Sequence, residues 1–261
     1  MSQALPSPGA ETSFKGRVAM VTGAGSGIGR AVARALATRG AAVLVVDFNA
    51  GAAETVADEL RDLGARSAAA AADVSSSAQV GSAVEAGQRQ LGPIDVLVNA
   101  AGGFKQRRLL VDTPEEEWDA VVDANLKGVF LCCRAVLSSM IERHYGRIVS
   151  ISSEAARATT YLTAAHYTAA KAGVLGLTRH LASEVGEHGI TVNAVTPGVT
   201  AVPRLMDLYD PQRREDMNRQ IPVGRWADPD EQANAVLFLA SEGAAYVTGV
   251  TLPVNGGWPM T

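Results

Sequence analysis

The stretch "VTGAGSGIGR", residues 21–30, joins an apolar run to a helical pattern, and its reading decides the fold. Gly23, Gly27 and Gly29 relieve three different kinds of crowding at such a junction. One allows the turn, one lets backbone approach a pyrophosphate, and one lets the helix pack on its strand. The amides from Ser26 through Ile28 to Gly29 open the helix, where the dipole favours phosphate charge. A glycine-rich turn alone is also ordinary loop chemistry. Its position directly between strand and helix is what gives it weight.

Outward from this turn, short apolar runs alternate with longer helical patterns. Residues 17–22, 41–47, 65–73, 94–100, 146–152, 189–197 and 249–254 are expected to be strands. All but the third are rich in β-branched or large aliphatic residues. "ARSAAAAAD" (65–73) would pass as helix by propensity, and only its place between two helical segments makes it a strand. Helical patterns fill 27–39, 51–63, 77–90, 115–140, 164–185 and 229–240, and Gly40, Gly64 and Gly92 stand where three of them should stop.

Such alternation, with unbroken apolar runs, implies parallel strands covered on both faces. Either a doubly wound sheet or a closed barrel would satisfy it. The glycine turn selects the first: an α/β, Rossmann-type, doubly wound parallel sheet of about seven strands with helices on both faces. No break in composition marks a second domain. Residues 14–261 are expected to form one catalytic domain behind a flexible arm at 1–13, whose Thr and Phe end docks.

Asp47 closes the second apolar run, 18 residues past Gly29. A carboxylate there accepts both ribose hydroxyls of an adenosine and repels a 2′-phosphate. Nothing basic stands between Gly23 and Gly29 and no Arg follows Asp47 directly, so NAD is expected in preference to NADP. The alternative for Asp47 is a surface turn that opens the next helix.

The 261 residues carry a formal charge of −4 and are 47% hydrophobic, enough for a sizeable core. Mild acidity without a basic run argues against a nucleic-acid partner. Cys132 and Cys133 are adjacent in an apolar stretch, with neither disulfide nor metal-ligand spacing, so a reducing cytoplasm is expected. The first residues lack a basic segment followed by an apolar one, and no apolar run nears the ~20 residues that span a bilayer. A soluble protein without a membrane partner is expected.

"AAHYTAAKAG" (164–173) sets Tyr167 and Lys171 one helical turn apart on one face. By themselves they are an amphipathic aromatic and a snorkelling lysine. Taken with T-G-x-x-x-G-x-G (Thr22 to Gly29), "LVNAAG" (97–102) and "TPG" (196–198), the Y-x-x-x-K pair resembles the short-chain dehydrogenase/reductase family in its compact single-domain form. The likeness runs from Gly16 to Gly257. It implies a nicotinamide cofactor and hydride exchange between an alcohol and a carbonyl.

The resemblance also implies roles. Tyr167 would be the acid/base. A free tyrosine titrates near ~10, and an ammonium one turn away and a positive nicotinamide would both lower that value. Lys171 would be that electrostatic partner and would hold the nicotinamide ribose. Ser153 would bond the substrate oxygen, although it stands 14 residues before Tyr167, one more than the family's usual interval; Ser152 is the reserve. Asn125, in "VDANLKG", matches the family's fourth member, whose mid-helix amide would disturb the ladder and bind a water linking Lys171 to solvent. Asp73 and Val74 would contact adenine, and Asn99 and Gly102 would line the cofactor floor. Pro197 and Gly198 would approach the nicotinamide, and Val199 would meet its carboxamide. Val202 stands where a threonine is common, so Thr200 is expected to substitute. His166 lies ~100° around the helix from Tyr167 and is expected at a wall or on the surface.

Substrate side chains should come from 103–110, 154–165 and 199–220, the last long enough for a mobile lid. Leu205, Met206, Leu208 and Tyr209 are expected to form an apolar wall. Lys105, Arg107 and Arg108 are expected to be solvated loop charges rather than an anion site. The substrate is expected to be a secondary alcohol or ketone of modest size. Surplus apolar faces on 115–140 and 164–185, with the resemblance, suggest a homotetramer. Three rivals stand beside this reading: a 3-oxoacyl-thioester reductase of the same family, a sugar-nucleotide epimerase, and a non-catalytic NAD-binding sensor. The epimerase normally needs a further C-terminal domain. The sensor has no need of Ser153, Tyr167 and Lys171 together.

Overall fold

Every position of β1 (Val18–Thr22) and β2 (Ala42–Asp47) is buried, as strands covered on both faces require. In the computed structural model, which describes residues 13–158 and 163–260, they belong to one seven-stranded sheet. The others are β3 (Ser67–Ala71), β4 (Val96–Asn99), β5 (Gly146–Ile151), β6 (Ile190–Pro197) and β7 (Thr251–Val254). Their order is β3-β2-β1-β4-β5-β6-β7, all pairs parallel. The chain reverses direction across the sheet between β1 and β4. At such a switch point the loops after the strands part and leave a crevice.

All seven expected strands are present, the alanine-rich third included. Its register, Val43↔Ser67 to Asp47↔Ala71, ties it to β2, and the Ser67 hydroxyl donates to Ala57 O at 2.6 Å. Pairing and burial override the helix propensity of alanine.

Side chains alternate between two cores. Val18 and Met20 join one, with residues of α3 (Ser77–Leu91), α5 (Gly128–Glu142) and α6 (Ala165–Val185). Ala19 and Val21 join the other, with α1 (Gly27–Thr38), α2 (Ala50–Asp62) and α9 (Pro229–Ala240). Helices therefore cover both faces, and the doubly wound expectation holds. Phe14 is buried in the second core, so the segment before β1 does dock. The rest of the expected arm, 1–12, lies outside the described residues, as do 159–162 of the expected substrate loop.

Two elements differ from expectation. The helix expected over 115–140 is three pieces: α4 (Glu115–Val122), a π-helical turn (Asp123–Lys127) and α5. The interruption falls on Asn125, for a reason that belongs to the site. The loop expected over 199–220 contains α7 (Pro203–Leu208) and α8 (Pro211–Asn218), each opened by a proline at its first turn. Among the described residues no helix is long and apolar enough to cross a membrane, and no cluster of His, Cys, Asp or Glu could hold a metal.

Candidate active site

The glycine turn is built by exclusion. Gly23 has φ +62°, and a Cβ there would lie 2.7 Å from Ala101 Cα; a Cβ on Gly29 would collide with the Gly23 carbonyl. Backbone of the first turn and of the loop after β4 therefore touch at van der Waals range, which only glycine permits. No side chain caps α1 at Ser26, so the first N–H groups of that helix, Gly27 to Gly29, remain available to an anion.

Asp47 is nearly buried and works on the same turn. Its Oδ2 accepts from Gly25 N–H at 2.9 Å and its Oδ1 from Asn49 N–H at 3.0 Å. Each carboxylate oxygen has a second lone pair. A Cβ on Gly25 would stand 2.8 Å from Oδ2. The donor-rich, glycine-built cradle beside an anionic acceptor fits a pyrophosphate and a ribose diol, the two groups a nicotinamide dinucleotide presents there.

Other expected cofactor residues are arranged less simply. Asp73 is exposed, and its Oδ1 accepts from the N–H and the hydroxyl of Ser75 at 2.9 and 2.7 Å. Val74 is buried under Gly128. Asn99 turns inward: its amide donates to Ser150 Oγ at 3.2 Å, and its Oδ1 has no partner. That side chain lies beneath the floor it was expected to line. Thr200 is buried, and its hydroxyl donates to Gly198 O at 3.1 Å and accepts from Gln232 at 3.3 Å. It braces the turn after β6. Pro197, Gly198, Val199 and Thr200 all border one cavity of about 550 Å³, together with Ile28 of the glycine turn.

The catalytic candidates meet at that cavity. Tyr167, in the first turn of α6, and Ser153, just past β5, both line it. The Ser153 side chain accepts Ala155 N–H at 3.2 Å, and its hydroxyl works on the phenol against the effect of burial. The extra residue between Ser153 and Tyr167 therefore leaves both at the same cavity. Ser152 is buried and spent elsewhere, its hydroxyl donating to Lys171 O at 2.8 Å.

Lys171 is buried below the tyrosine ring, with Nζ 5.7 Å from the ring centroid and donating to Ile151 O at 2.8 Å. Burial pushes its pKa down to about 8. This corrects the expected electrostatics. Burial, not the Lys171 ammonium, dominates: it holds the Tyr167 phenol above its ordinary value, opposed by the Ser153 hydroxyl and then by the Arg204 guanidinium. The resting phenol is protonated at neutral pH.

Asn125 explains the π turn. Its Nδ2 donates to Val121 O and to Gly103 O, and its Oδ1 accepts from Gly103 N–H, each at 2.8 Å. Both amide hydrogens are thus used within the chain, so the expected water would have to donate to the second lone pair of Oδ1. The amide also clamps the loop after β4. A Cβ on Gly102 would strike Asn125 Oδ1 and come within 3.5 Å of Lys171 Nζ, so this loop, Asn125 and Lys171 are packed together.

His166 is fully buried, neither exposed wall nor surface. Its Nδ1 accepts Tyr167 N–H at 2.7 Å and its Nε2 lies 3.4 Å from Glu117, which pairs with Arg108 at 2.8 Å. A ring nitrogen that accepts from the backbone leaves the other to carry the proton toward Glu117. This chain fixes the start of α6 and hence the tyrosine. Phe104 packs on Tyr167 with centroids 4.9 Å apart. Spacing alone gave no sign of either contact.

The cavity's far wall is apolar. Leu205, Leu208 and Tyr209 line it as expected, joined by Met217 and Trp258. Met206 instead faces solvent, near Arg214.

A family model described as enoyl-(acyl carrier protein) reductase matches residues 23–259. The 3-oxoacyl-[acyl-carrier-protein] reductase FabG of Pseudomonas aeruginosa is 43% identical over 249 residues, covering 95% of this chain and 100% of that protein. A 3-oxoacyl-[acyl-carrier protein] reductase from Brucella melitensis, solved with bound NAD, is 34% identical with a TM-score of 0.90, covering 100% of this chain and 99% of that one. A 7α-hydroxysteroid dehydrogenase solved with NADH and 7-oxo glycochenodeoxycholic acid is 33% identical with a TM-score of 0.90, covering 95% and 96%. By fold, motifs and relatives alike, the chain belongs to the short-chain dehydrogenase/reductase family and is an oxidoreductase that acts on CH–OH groups.

Proposed function

We propose that this chain interconverts a secondary alcohol and a ketone, with NAD as the preferred cofactor and Tyr167 as acid/base. NAD, when bound, supplies the hydride acceptor. In oxidation the carbinol C–H would leave as hydride and the O–H proton would pass to the Tyr167 phenolate, formed once the resting phenol has given its own proton to solvent; reduction reverses both. Ser153 orients the substrate oxygen against the phenol. Lys171 holds the ribose side of the site and supplies positive charge under the ring. The residues named for the cofactor cradle are Gly23, Ser26, Gly27, Ile28, Gly29, Asp47, Asp73, Val74, Gly102, Pro197, Gly198 and Val199, with Asn99 and Thr200 as braces behind it.

The observation that carries the reading is the Ser153–Tyr167 pair opening into a cavity that Ile28 of the glycine turn also lines. The NAD preference is supported by the Asp47 carboxylate and by the NAD and NADH bound in two similar structures. A non-catalytic sensor has no use for that constellation. Residues 14–261 act as one catalytic unit in this reading. We place it in the cytoplasm, as a homotetramer built partly through α5, where Phe130 stands exposed. A second reading, reduction of a 3-oxoacyl thioester, is favoured by the similarity to reductases of that name.

A panel of secondary alcohols, ketones and one 3-oxoacyl thioester, followed at 340 nm with NAD(H) and NADP(H), decides between them. Turnover confined to the thioester with NADPH would replace the first reading by the second. Activity that survives Tyr167→Phe would remove both.

A further inference from the structure

Three cations border the substrate cavity: Lys105, Arg107 and Arg204. None of them forms an ion pair among the described residues, whereas their neighbour Arg108 is neutralised by Glu117. The cavity's acidic lining residue, Glu154, is buried, accepts from the Thr196 hydroxyl at 2.7 Å and pairs with Arg157 at 3.8 Å. The apolar chamber therefore carries uncompensated positive charge at one end.

Arg204 is exposed like the other two, but it is held by a carbonyl and a ring. It reaches from α7 across the cleft to donate through Nη1 to the carbonyl oxygen of Phe104. Its guanidinium carbon stands 5.4 Å from the Phe104 ring, which packs on Tyr167. The opposite loop is shaped to admit it, since a Cβ on Gly103 would lie 3.3 Å from Nη1. An aromatic face on one side and a carbonyl on one nitrogen set the plane of the fork, and the remaining N–H groups are free for a planar, bidentate acceptor. A carboxylate has that shape and charge. The rest of the wall, from Leu205 and Leu208 to Met217 and Trp258, asks for hydrocarbon.

We propose that the substrate is a hydroxy acid with an apolar body, and that Arg204 is the specificity-determining residue that holds its carboxylate. This deepens the oxidoreductase reading and rests on it for the carbinol end. Arg204 sits against the ring stacked on the catalytic phenol. The anion it takes is accordingly part of the reacting molecule, not a phosphate at the far end of a carrier arm.

Octanoate and octanamide, which lack a carbinol, test the site without any chemistry. Each is titrated calorimetrically into the NAD-saturated protein and into its Arg204→Met and Arg204→Lys variants, with melting curves to confirm folding. Octanoate should bind at least about tenfold more tightly than octanamide. That preference should fall to within twofold in Arg204→Met and be partly retained in Arg204→Lys. Octanoate binding no tighter than octanamide, or a preference that survives Arg204→Met, overturns the proposal. So does a parallel titration in which octanoyl-coenzyme A, and not octanoate, loses affinity with Arg204. Turnover of 3-hydroxyoctanoate is read separately: if no NADH forms from any alcohol the oxidoreductase reading fails, while the octanoate result still stands or falls by itself.

Discussion

The two halves of the cleft are made by different means. On the β1–β2 side, backbone meets backbone: Gly23 touches Ala101, Gly29 touches Gly23, and Asp47 binds two amides. On the β5–β6 side, side chains reach to their neighbours: Arg204 to Phe104, Phe104 to Tyr167, His166 to Glu117. The first half is rigid because nothing larger than hydrogen fits. The second is held by contacts that can be exchanged one at a time. A cofactor common to a family suits the first construction, and a substrate that differs between members suits the second.

The sharpest way to separate the halves is Tyr167→Phe. It removes the proton acceptor and leaves the glycine cradle intact, so kcat should fall by roughly 10³–10⁴ while the Kd for NADH stays within twofold. A comparable loss of NADH binding would mean that the halves are one unit. The pH profile carries the sign. Oxidation needs the phenolate, and burial holds Tyr167 above its ordinary value, so kcat for oxidation should rise with pH through the neutral range. Reduction needs the protonated phenol and should instead decline toward high pH.

Lys171→Met comes next, and it should move activity and stability in opposite directions. Burial depresses the lysine to about 8 from its ordinary value of 10.5, which costs on the order of 3 kcal/mol below pH 8. Between those two values the unfolded chain holds more protons than the folded one, so this cost is relieved as pH rises. Cys132 and Cys133, pushed up to about 12 by burial, contribute the opposite slope above their ordinary value of 9.0. The variant and the parent share those cysteines, so the difference between their urea-unfolding curves isolates the lysine. Lys171→Met should be more stable at pH 7 by a few kcal/mol, with the gain shrinking toward pH 10.5, and it should lose turnover. A variant less stable than the parent at pH 7 would show that the bond to Ile151 O outweighs the buried charge.

Gly29→Ala tests the other half. An added methyl meets the Gly23 carbonyl, which cannot retreat because Gly23 is itself against Ala101. Overpacking of this kind costs about 1–3 kcal/mol, and NADH binding should weaken with it. Unchanged stability and binding would mean that the turn is looser than its contacts imply.

That construction is also why one half was legible in the sequence. Backbone that must approach backbone leaves a residue-type mark, glycine, at fixed intervals, and a carboxylate at a strand end leaves another. The order of seven short apolar runs was legible for the same local reason, and even the alanine-rich β3 could be placed by its neighbours. Tyr167 and Lys171 were legible as a pair one helical turn apart, and their roles, with that of Ser153, came from the family resemblance. Arg204 was not, because its meaning depends on Phe104, 100 residues away, and on a helix that a loop-like composition concealed. Helical angle alone puts His166 at a wall or on the surface, because it says nothing about the Trp118 and Phe104 rings that enclose it. Asn125 was expected to break its ladder and does, yet the partner that occupies its amide lies in another loop.

The smallest expected effect lies at Asp47, where the two functions of one carboxylate can be told apart. Its oxygens accept from Gly25 and Asn49, so Asp47→Asn must turn an amide N–H toward one backbone donor and loosen the turn. It also removes the charge that would repel a 2′-phosphate. Loosening should weaken NADH and NADPH alike, whereas lost repulsion should favour NADPH alone, and the ratio of their Kd values cancels the first effect. That ratio should shift by roughly tenfold toward NADPH, about 1.4 kcal/mol. Salt provides an independent check, since repulsion between charges near the surface is screened between about 0.01 and 1 M. The parent should discriminate less at the higher concentration, and Asp47→Asn should discriminate equally at both. A parent protein that binds NADPH as tightly as NADH at low salt would show that the carboxylate builds the turn and does nothing more.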